Sequence, residues 1–267
     1  MNTSQVFLVN KFVMNKIIDF ADLTPNDVVM EIGSGDGRLT ELIAKKAKKV
    51  YAIEIDKELA DVSIQKLKNY KNVEIINDDA LKIEFPKVNK IISNLPYSIA
   101  SPLTQKIIFY LNRENAIAIL MYQKELADRI LAFPGAREYS MLTILVQYAC
   151  EVKKLMDVSK MNFRPVPSVD SSLLYLKPKP IEIDRSFLSF CKILFFHKKK
   201  NVYSSLMDSR EILKLTKEEI RDKIKGIDLS NEKVFYLSIE ELFSLYKQCK
   251  EKGIWKGESY QDLNFYD

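Results

Sequence analysis

Five short runs rich in β-branched residues, at 28–32, 49–55, 73–77, 88–93 and 116–121, alternate with four amphipathic stretches at 39–48, 58–69, 102–112 and 124–132. No other property of the chain constrains its fold as much. Short runs dominated by β-branched and other apolar residues read as buried strands, and a helix between consecutive strands makes each connection a crossover, so a parallel sheet covered on both sides follows. Residues 141–150 read as a further buried helix, and 151–157 and 171–176 as two strands able to form an antiparallel hairpin at the sheet edge. Lys177-Pro178-Lys179-Pro180 reads as a linker, because proline cannot donate to a strand ladder. Beyond Asp184 the apolar spacing turns helical, as in Phe187, Phe190, Cys191 and Leu194 and then in Val234, Leu237, Leu242 and Tyr246. The pattern predicts an α/β domain over 1–180 and a small all-helical domain over 181–267.

Several chemistries are excluded by what the chain lacks. His197 is its only histidine, which removes catalytic triads and histidine-rich metal sites. Cys150, Cys191 and Cys249 are odd in number, widely spaced and without a CxxC pair, so neither a disulfide framework nor a metal site is expected, and the thiols should be reduced. The longest strongly apolar stretch, 139–150, is too short to cross a bilayer, and residues 1–11 lack the build of a signal peptide, so a cytoplasmic protein without a membrane is expected. The formal net charge of +5 is unevenly spread. Lys45, Lys46, Lys48 and Lys49 form one cluster, Lys153 and Lys154 a second, and Lys198, Lys199 and Lys200 a third, a distribution that suits a polyanionic partner.

The first strand ends in Glu31 and runs through Gly33, Gly35 and Gly37 into a helix. Glycines at such a turn let the backbone approach a ligand, and the helix N-terminus offers unpaired N–H groups. A dinucleotide fingerprint would need glycine at position 38, where this chain has arginine, and no GK[ST] ending marks a triphosphate loop. The run fits S-adenosylmethionine (SAM), which carries no pyrophosphate. Glu54 ends the second strand, where a carboxylate can accept from ribose hydroxyls, and Asp79 follows the third, where it can accept from an adenine amino group.

Asn94-Leu95-Pro96-Tyr97 follows the fourth strand. The lone pair of an exocyclic adenine nitrogen is delocalised into the ring, and an enzyme that alkylates it must localise it. The Asn94 side-chain oxygen and the Leu95 carbonyl can each accept one amino hydrogen. Pro96 fixes the turn and brings no competing N–H, and Tyr97 offers an aromatic face to an extruded base.

With these motifs in view, the chain resembles the ribosomal RNA adenine N6,N6-dimethyltransferases. The resemblance rests on Ser4-Gln5-Val6-Phe7-Leu8, Glu31 to Thr40, Asn77-Asp78-Asp79-Ala80, Asn94-Leu95-Pro96-Tyr97-Ser98-Ile99-Ala100-Ser101-Pro102, Met121-Tyr122-Gln123-Lys124-Glu125, and Phe163-Arg164-Pro165-Val166-Pro167-Ser168-Val169-Asp170-Ser171. It implies a Rossmann-like SAM-dependent methyltransferase domain followed by a helical domain that recognises RNA or the ribosome. By the same resemblance Gln5 and Leu8 close over SAM, and Gly33, Glu54, Asp79 and Asn94 line its pocket, with Glu31, Gly35, Ile55 and Ala80 contributing from the same motifs. Phe163 would be a second aromatic wall opposite Tyr97. The implied reaction dimethylates N6 of two adjacent adenosines near the 3′ end of small-subunit rRNA, within a pre-ribosomal small subunit, by a monomeric enzyme that uses no metal.

Val6 stands where the family commonly has asparagine, and the second domain's basic motif, usually arginine-rich, reads Phe196-His197-Lys198-Lys199-Lys200. Lysine keeps the charge but loses bidentate phosphate recognition. Lys198, Lys199 and Lys200 are the expected RNA contacts. Two other readings stand beside this one: a resistance-type methyltransferase of large-subunit rRNA, and a non-catalytic assembly or transcription factor on the same scaffold.

Overall fold

The structure is a computed structural model and describes residues 6–227 and 231–257. The chain groups into two compact units, Met1–Ala127 with Ala149–Ile181, and Asp128–Tyr148 with Glu182–Asp267. Residues 128–148 therefore group with the C-terminal part of the chain, although the apolar pattern alone leaves them among the first 180. Hydrogen bonds that only the folded chain can form hold them there: Tyr139 Oη donates to the Leu237 carbonyl at 3.0 Å and Gly135 N to the Phe235 carbonyl at 2.7 Å.

In the first unit the chain runs β1 (Phe7–Leu8), α1 (Lys11–Ala21), β2 (Val28–Ile32), α2 (Arg38–Ala44), β3 (Lys49–Glu54), α3 (Lys57–Leu67), β4 (Val73–Asn77), β5 (Lys90–Asn94), α4 (Ala100–Glu114), β6 (Ile117–Gln123), β7 (Cys150–Val158), β8 (Phe163–Arg164) and β9 (Ser171–Pro178). Seven strands form one sheet in the order β4-β3-β2-β5-β6-β9-β7. The first five are parallel, and β9 lies antiparallel between β6 and β7. This is the predicted parallel sheet with its antiparallel edge hairpin. Val29, Met30, Val50, Ile91, Ile92, Ile119 and Leu120 are fully buried, as strands covered on both faces require. The small sheet of β1 and β8 pairs Leu8 with Phe163.

One expectation about strand ends fails. β9 runs through Pro178, which pairs with Cys150 of β7. Proline is tolerated there because the ladder to β6 has already ended at Leu176, leaving Pro178 paired on one side only.

Helix starts follow side-chain caps. Asn10 accepts from Phe12 N at 2.8 Å to open α1, and Asp56 accepts from Glu58 N at 3.0 Å to open α3. Both loops lead directly from strand ends that bear on the site.

α5 (Lys124–Ile130) spans the boundary between the units, and α6 (Met141–Ala149), α7 (Arg185–Phe195), α8 (Val202–Asp208), α9 (Arg210–Leu213), α10 (Lys217–Ile224) and α11 (Ile239–Glu251) follow. Every residue of α7 from Phe187 to Phe195 is buried. Phe187, Phe190, Phe243, Tyr246 and Trp255 form a connected ring cluster around it, with centroids 5.0–5.9 Å apart. The helical spacing read across Val234 and Leu237 does not correspond to an α-helix. Val234–Tyr236 is a 3-10 turn, and α11 starts only after Ser238, whose hydroxyl accepts from Glu241 N at 3.1 Å while Glu241 accepts from Ser238 N at 2.8 Å.

Candidate active site

The order of strands reverses between β2 and β5: the chain steps outward from β2 to β3 and β4, then returns to β5 on the other side. At such a reversal the loops at the carboxyl ends diverge and leave a crevice. A cavity of about 300 Å³ lies here, lined by Glu31 and the glycine loop after β2, Glu54 and Ile55 after β3, Asp79 and Leu81 after β4, and residues 94–99 after β5, with Phe7, Leu8 and Met14 closing one side.

The glycine loop is shaped by two close approaches. Gly33 has φ +73°, and a Cβ on it would stand 2.9 Å from Cγ of Pro96; Gly35 has φ +56°, and a Cβ would stand 3.0 Å from the Phe7 ring. The glycine run thus packs directly on the Asn-Leu-Pro-Tyr turn and on the N-terminal segment, which is why three motifs distant in sequence form one site. Gly33 N and Ser34 N both donate to the Ile53 carbonyl, at 2.8 and 3.2 Å, and fix the loop to β3.

Four carboxylates line the cavity: Glu31, Asp36, Glu54 and Asp79. Glu54 is buried, and its two oxygens accept from Gly35 N at 2.8 Å and Asp56 N at 2.9 Å, which leaves a lone pair on each for a further donor. Asp79 accepts from Leu81 N at 2.9 Å, and Asp36 pairs with Arg38 Nε at 2.6 Å. Glu31 is 2% exposed. Burial pushes its carboxyl up to about 8, and the negative Glu54 and Asp36 add to the rise, while the Thr40 hydroxyl, donating at 2.5 Å, opposes it.

Asn94 Oδ1 and Ser34 Oγ are buried and have no hydrogen-bond partner among the described residues, and both residues line the cavity. A buried acceptor without a donor is costly, so these two oxygens on cavity-lining residues are candidates to accept from a ligand. Leu95 N donates to the Met121 carbonyl at 3.3 Å, and the Pro96 carbonyl accepts from Ile99 N at 3.2 Å. The Leu95 carbonyl accepts from none of the described residues. Tyr97 is half-buried, its hydroxyl 2.9 Å from Ser171 Oγ, and burial raises its phenol above the ordinary value.

Of the residues read from sequence, Leu8, Glu31, Gly33, Gly35, Glu54, Ile55, Asp79, Asn94, Leu95, Pro96 and Tyr97 come together on this cavity. Gln5 lies outside the described residues. Ala80 is buried but is not part of the wall; its carbonyl accepts from Lys106 Nζ at 2.7 Å, so it shapes the site through its backbone. Phe163 pairs with Leu8, is fully buried in the hydrophobic core with Leu8, Ile17, Met121 and Leu173, and is not among the residues that line the cavity. Ser34, Asp36, Phe7, Leu59 and Leu81 line the cavity without having been singled out. Ser34 and Asp36 had a signal, since both sit between the glycines, whereas Leu59 and Leu81 had none.

The three lysines of the second unit are not equivalent. Lys198 is partly buried and donates to the carbonyls of Tyr139 at 2.7 Å and Arg137 at 3.4 Å. Lys200 pairs with Asp208 at 2.5 Å. Among the described residues only Lys199 of the three is exposed without an ion pair or side-chain hydrogen bond. An RNA role for all three alike therefore does not match their surroundings.

A doubly wound sheet with an acidic, glycine-walled cavity at its switch point, and orphaned acceptors beside an Asn-Leu-Pro-Tyr turn, defines the SAM-dependent methyltransferase class. A model of the family described as "Ribosomal RNA adenine dimethylase" matches residues 1–251. A protein of Thermococcus gammatolerans named "Probable ribosomal RNA small subunit methyltransferase A" is 37% identical over 264 residues, 97% of this chain and 92% of its own. Among solved structures, a dimethyladenosine transferase from Plasmodium falciparum matches with a TM-score of 0.81 at 30% identity, over 92% of this chain and 98% of its own. The 23S rRNA methyltransferase ErmE matches with a TM-score of 0.65 at 25% identity, over 91% and 98%. The chain belongs to the ribosomal RNA adenine dimethylase family.

It is an enzyme, and its cofactor is SAM. The residues present fit that ligand: the carboxylates suit a molecule bearing a sulfonium and an ammonium, Ile55, Leu59 and Leu81 suit its adenine, and the orphaned Ser34 and Asn94 oxygens accept donors.

Proposed function

We propose that the protein dimethylates N6 of two adjacent adenosines near the 3′ end of small-subunit rRNA, acting as a cytoplasmic monomer on a pre-ribosomal small subunit. The observation that carries the reaction is the buried Asn94 Oδ1 beside the Leu95 carbonyl, neither of which has a hydrogen-bond partner among the described residues. Two acceptors at one turn match the two hydrogens of an adenine amino group.

SAM supplies an electrophilic methyl group on sulfonium sulfur. Glu54 holds the ribose hydroxyls with the two lone pairs its backbone contacts leave free. Asp79 receives the cofactor's adenine amino group, and Glu31 faces its cationic end. Asn94 and Leu95 draw the two N6 hydrogens out of the ring plane, which localises the lone pair and aims it. Tyr97 stacks on the extruded base. The N6–methyl bond forms as the sulfur–methyl bond breaks, and the proton that N6 sheds passes to water. No residue need serve as a strong base, and the raised Tyr97 phenol is not one. The monomethylated nitrogen retains one hydrogen for one acceptor, so the same turn can present it for a second transfer.

The unit containing Glu182–Asp267 is assigned to rRNA recognition. Unmethylated small and large subunits incubated with methyl-labelled SAM, then digested to nucleosides, test the reading. Label in N6,N6-dimethyladenosine of the small subunit supports it, label in the large subunit favours the resistance-type activity, and no label refutes both.

A further inference from the structure

The second unit carries a surface that the methyl-transfer site does not use. Phe133 and Tyr236 are exposed aromatics, 71% and 48% accessible. The Tyr236 ring lies against Gly135, two residues from Phe133, where a Cβ would come within 2.9 Å of Cδ1 and Cε1; Gly135 has φ +88°. Phe235 supports Tyr236 from the same segment, with ring centroids 4.5 Å apart.

Three chain segments are laced together beneath these rings. Gly135 N donates to the Phe235 carbonyl at 2.7 Å, Phe235 N to the Lys198 carbonyl at 3.1 Å and Val234 N to the Lys200 carbonyl at 2.9 Å. Lys198 Nζ closes the circuit on the Tyr139 carbonyl at 2.7 Å. Two apolar rings left in water are therefore held on a rigid support, and the segments 129–140, 196–203 and 231–237 hold six arginines and lysines against Glu138, Glu232 and the Asp208 that pairs with Lys200. Arg137, Lys199 and Lys233 are exposed.

Exposed aromatic faces on segments that also carry exposed cations match unpaired RNA, whose bases stack on aromatic rings while its phosphates meet lysine and arginine. A protein partner's apolar patch would not call for this excess of one charge. We propose that Tyr236 and Phe133 form a stacking platform for unpaired rRNA nucleotides, with Lys199, Arg137 and Lys233 taking the adjoining phosphates, at a site separate from the target adenine. The inference rests on the rRNA substrate proposed above and names the contact that would recognise it.

Full-length Tyr236→Leu/Phe133→Leu protein, which keeps apolar bulk but no π face, is to be titrated with protein-free small-subunit rRNA and with intact unmethylated subunits across a range of salt. Affinity for the rRNA should fall roughly 5- to 100-fold by the same factor at every salt concentration. Lys199→Gln should instead flatten the log-log salt slope by about 0.7 to 0.9. Tyr236→Trp in the Phe133-intact protein, which keeps a π face, should retain parental binding where Tyr236→Leu alone weakens it, SAM affinity and melting temperature should stay unchanged, and methylation by the double variant should show a raised KM at constant kcat. The proposal is overturned by rRNA affinity within about twofold of the parent. Loss confined to intact subunits would also overturn it, since a protein would then be the partner, as would loss that follows a lowered melting temperature and is not rescued by tryptophan. Parent protein that binds this rRNA but methylates no adenine in intact unmethylated subunits would refute the proposed reaction, while the affinity comparison would still judge the platform.

Discussion

Replacing Glu31 with glutamine should make the folded protein more stable at neutral pH. Glu31 is fully enclosed, and its carboxyl titrates at about 8 when folded against an ordinary value of 4.5. A group whose folded value is raised contributes its full share of stability below the unfolded value and loses it as pH rises through the folded one. Between pH 4.5 and about 8 the unfolded chain has ionised this group and the folded one has not, so each unit of pH costs about 1.4 kcal/mol. The loss is small at pH 5 and greater by about 3 kcal/mol at pH 7. Glutamine can still accept the Thr40 hydroxyl and has no proton to lose. Urea unfolding of both proteins at the two pH values isolates the effect, because Asp27, Asp157 and the other titrating groups are common to both and cancel. The stability gain of Glu31→Gln over the parent should grow by about 3 kcal/mol from pH 5 to pH 7. Parallel pH profiles would show that Glu31 ionises normally within the fold and would remove the reasoning. Binding of a cationic ligand favours the ionised form, so SAM binding by the parent at pH 7 should release protons and binding by the variant should release fewer, which calorimetry in buffers of different ionisation enthalpy reads directly.

Asn94→Ala should lower kcat about 10²-fold and change SAM affinity little, since its free oxygen addresses the acceptor base; near-normal turnover at saturating SAM would contradict that role. Glu54→Ala should weaken SAM by tenfold or more, since hydrogen bonds to a charged acceptor are worth about 1.5–3 kcal/mol, and unchanged affinity by titration calorimetry would move the ribose site elsewhere. Gly33→Ala should cost about 1–2 kcal/mol for the left-handed backbone and lower the melting temperature by several degrees, and its Cβ should displace Pro96 and depress turnover further. Lys198→Gln should destabilise the second unit with an unchanged salt slope of rRNA binding, because its ammonium is engaged by the carbonyls of Tyr139 and Arg137; a flattened slope would return Lys198 to the phosphate contacts.

What the sequence made legible are the features fixed by local geometry. The runs 28–32 and 73–77 became β2 and β4 with identical ends; β2 is buried as its apolar run requires, whereas β4, with Glu74 and Asn77 exposed, is the edge strand of the sheet. Gly33 and Gly35 were legible for a similar reason: only glycine accepts both the positive φ and the neighbour that a Cβ would strike. Burial decided by distant pairing was not legible. Phe163 carries the same motif whether its ring faces the cavity or the core, and only its register with Leu8, 155 positions away, turns it inward. The charge state of Glu31 was hidden likewise, because a carboxylate at a strand end reads as ionised until the sheet and α2 enclose it.

Lys198, Lys199 and Lys200 carry this argument furthest. Identical and consecutive, they leave the end of α7 through a turn, where successive side chains diverge, so one reaches the carbonyls of residues 137 and 139, one pairs with Asp208 and one stays in water. Composition assigns them a single role because it counts charge, whereas a charge can meet a phosphate only if the fold has not already engaged it. The exposed rings obey the converse rule: Phe133 and Tyr236 stand 103 positions apart, so no motif joins them, and the bond from Gly135 N to the Phe235 carbonyl is what brings their segments together.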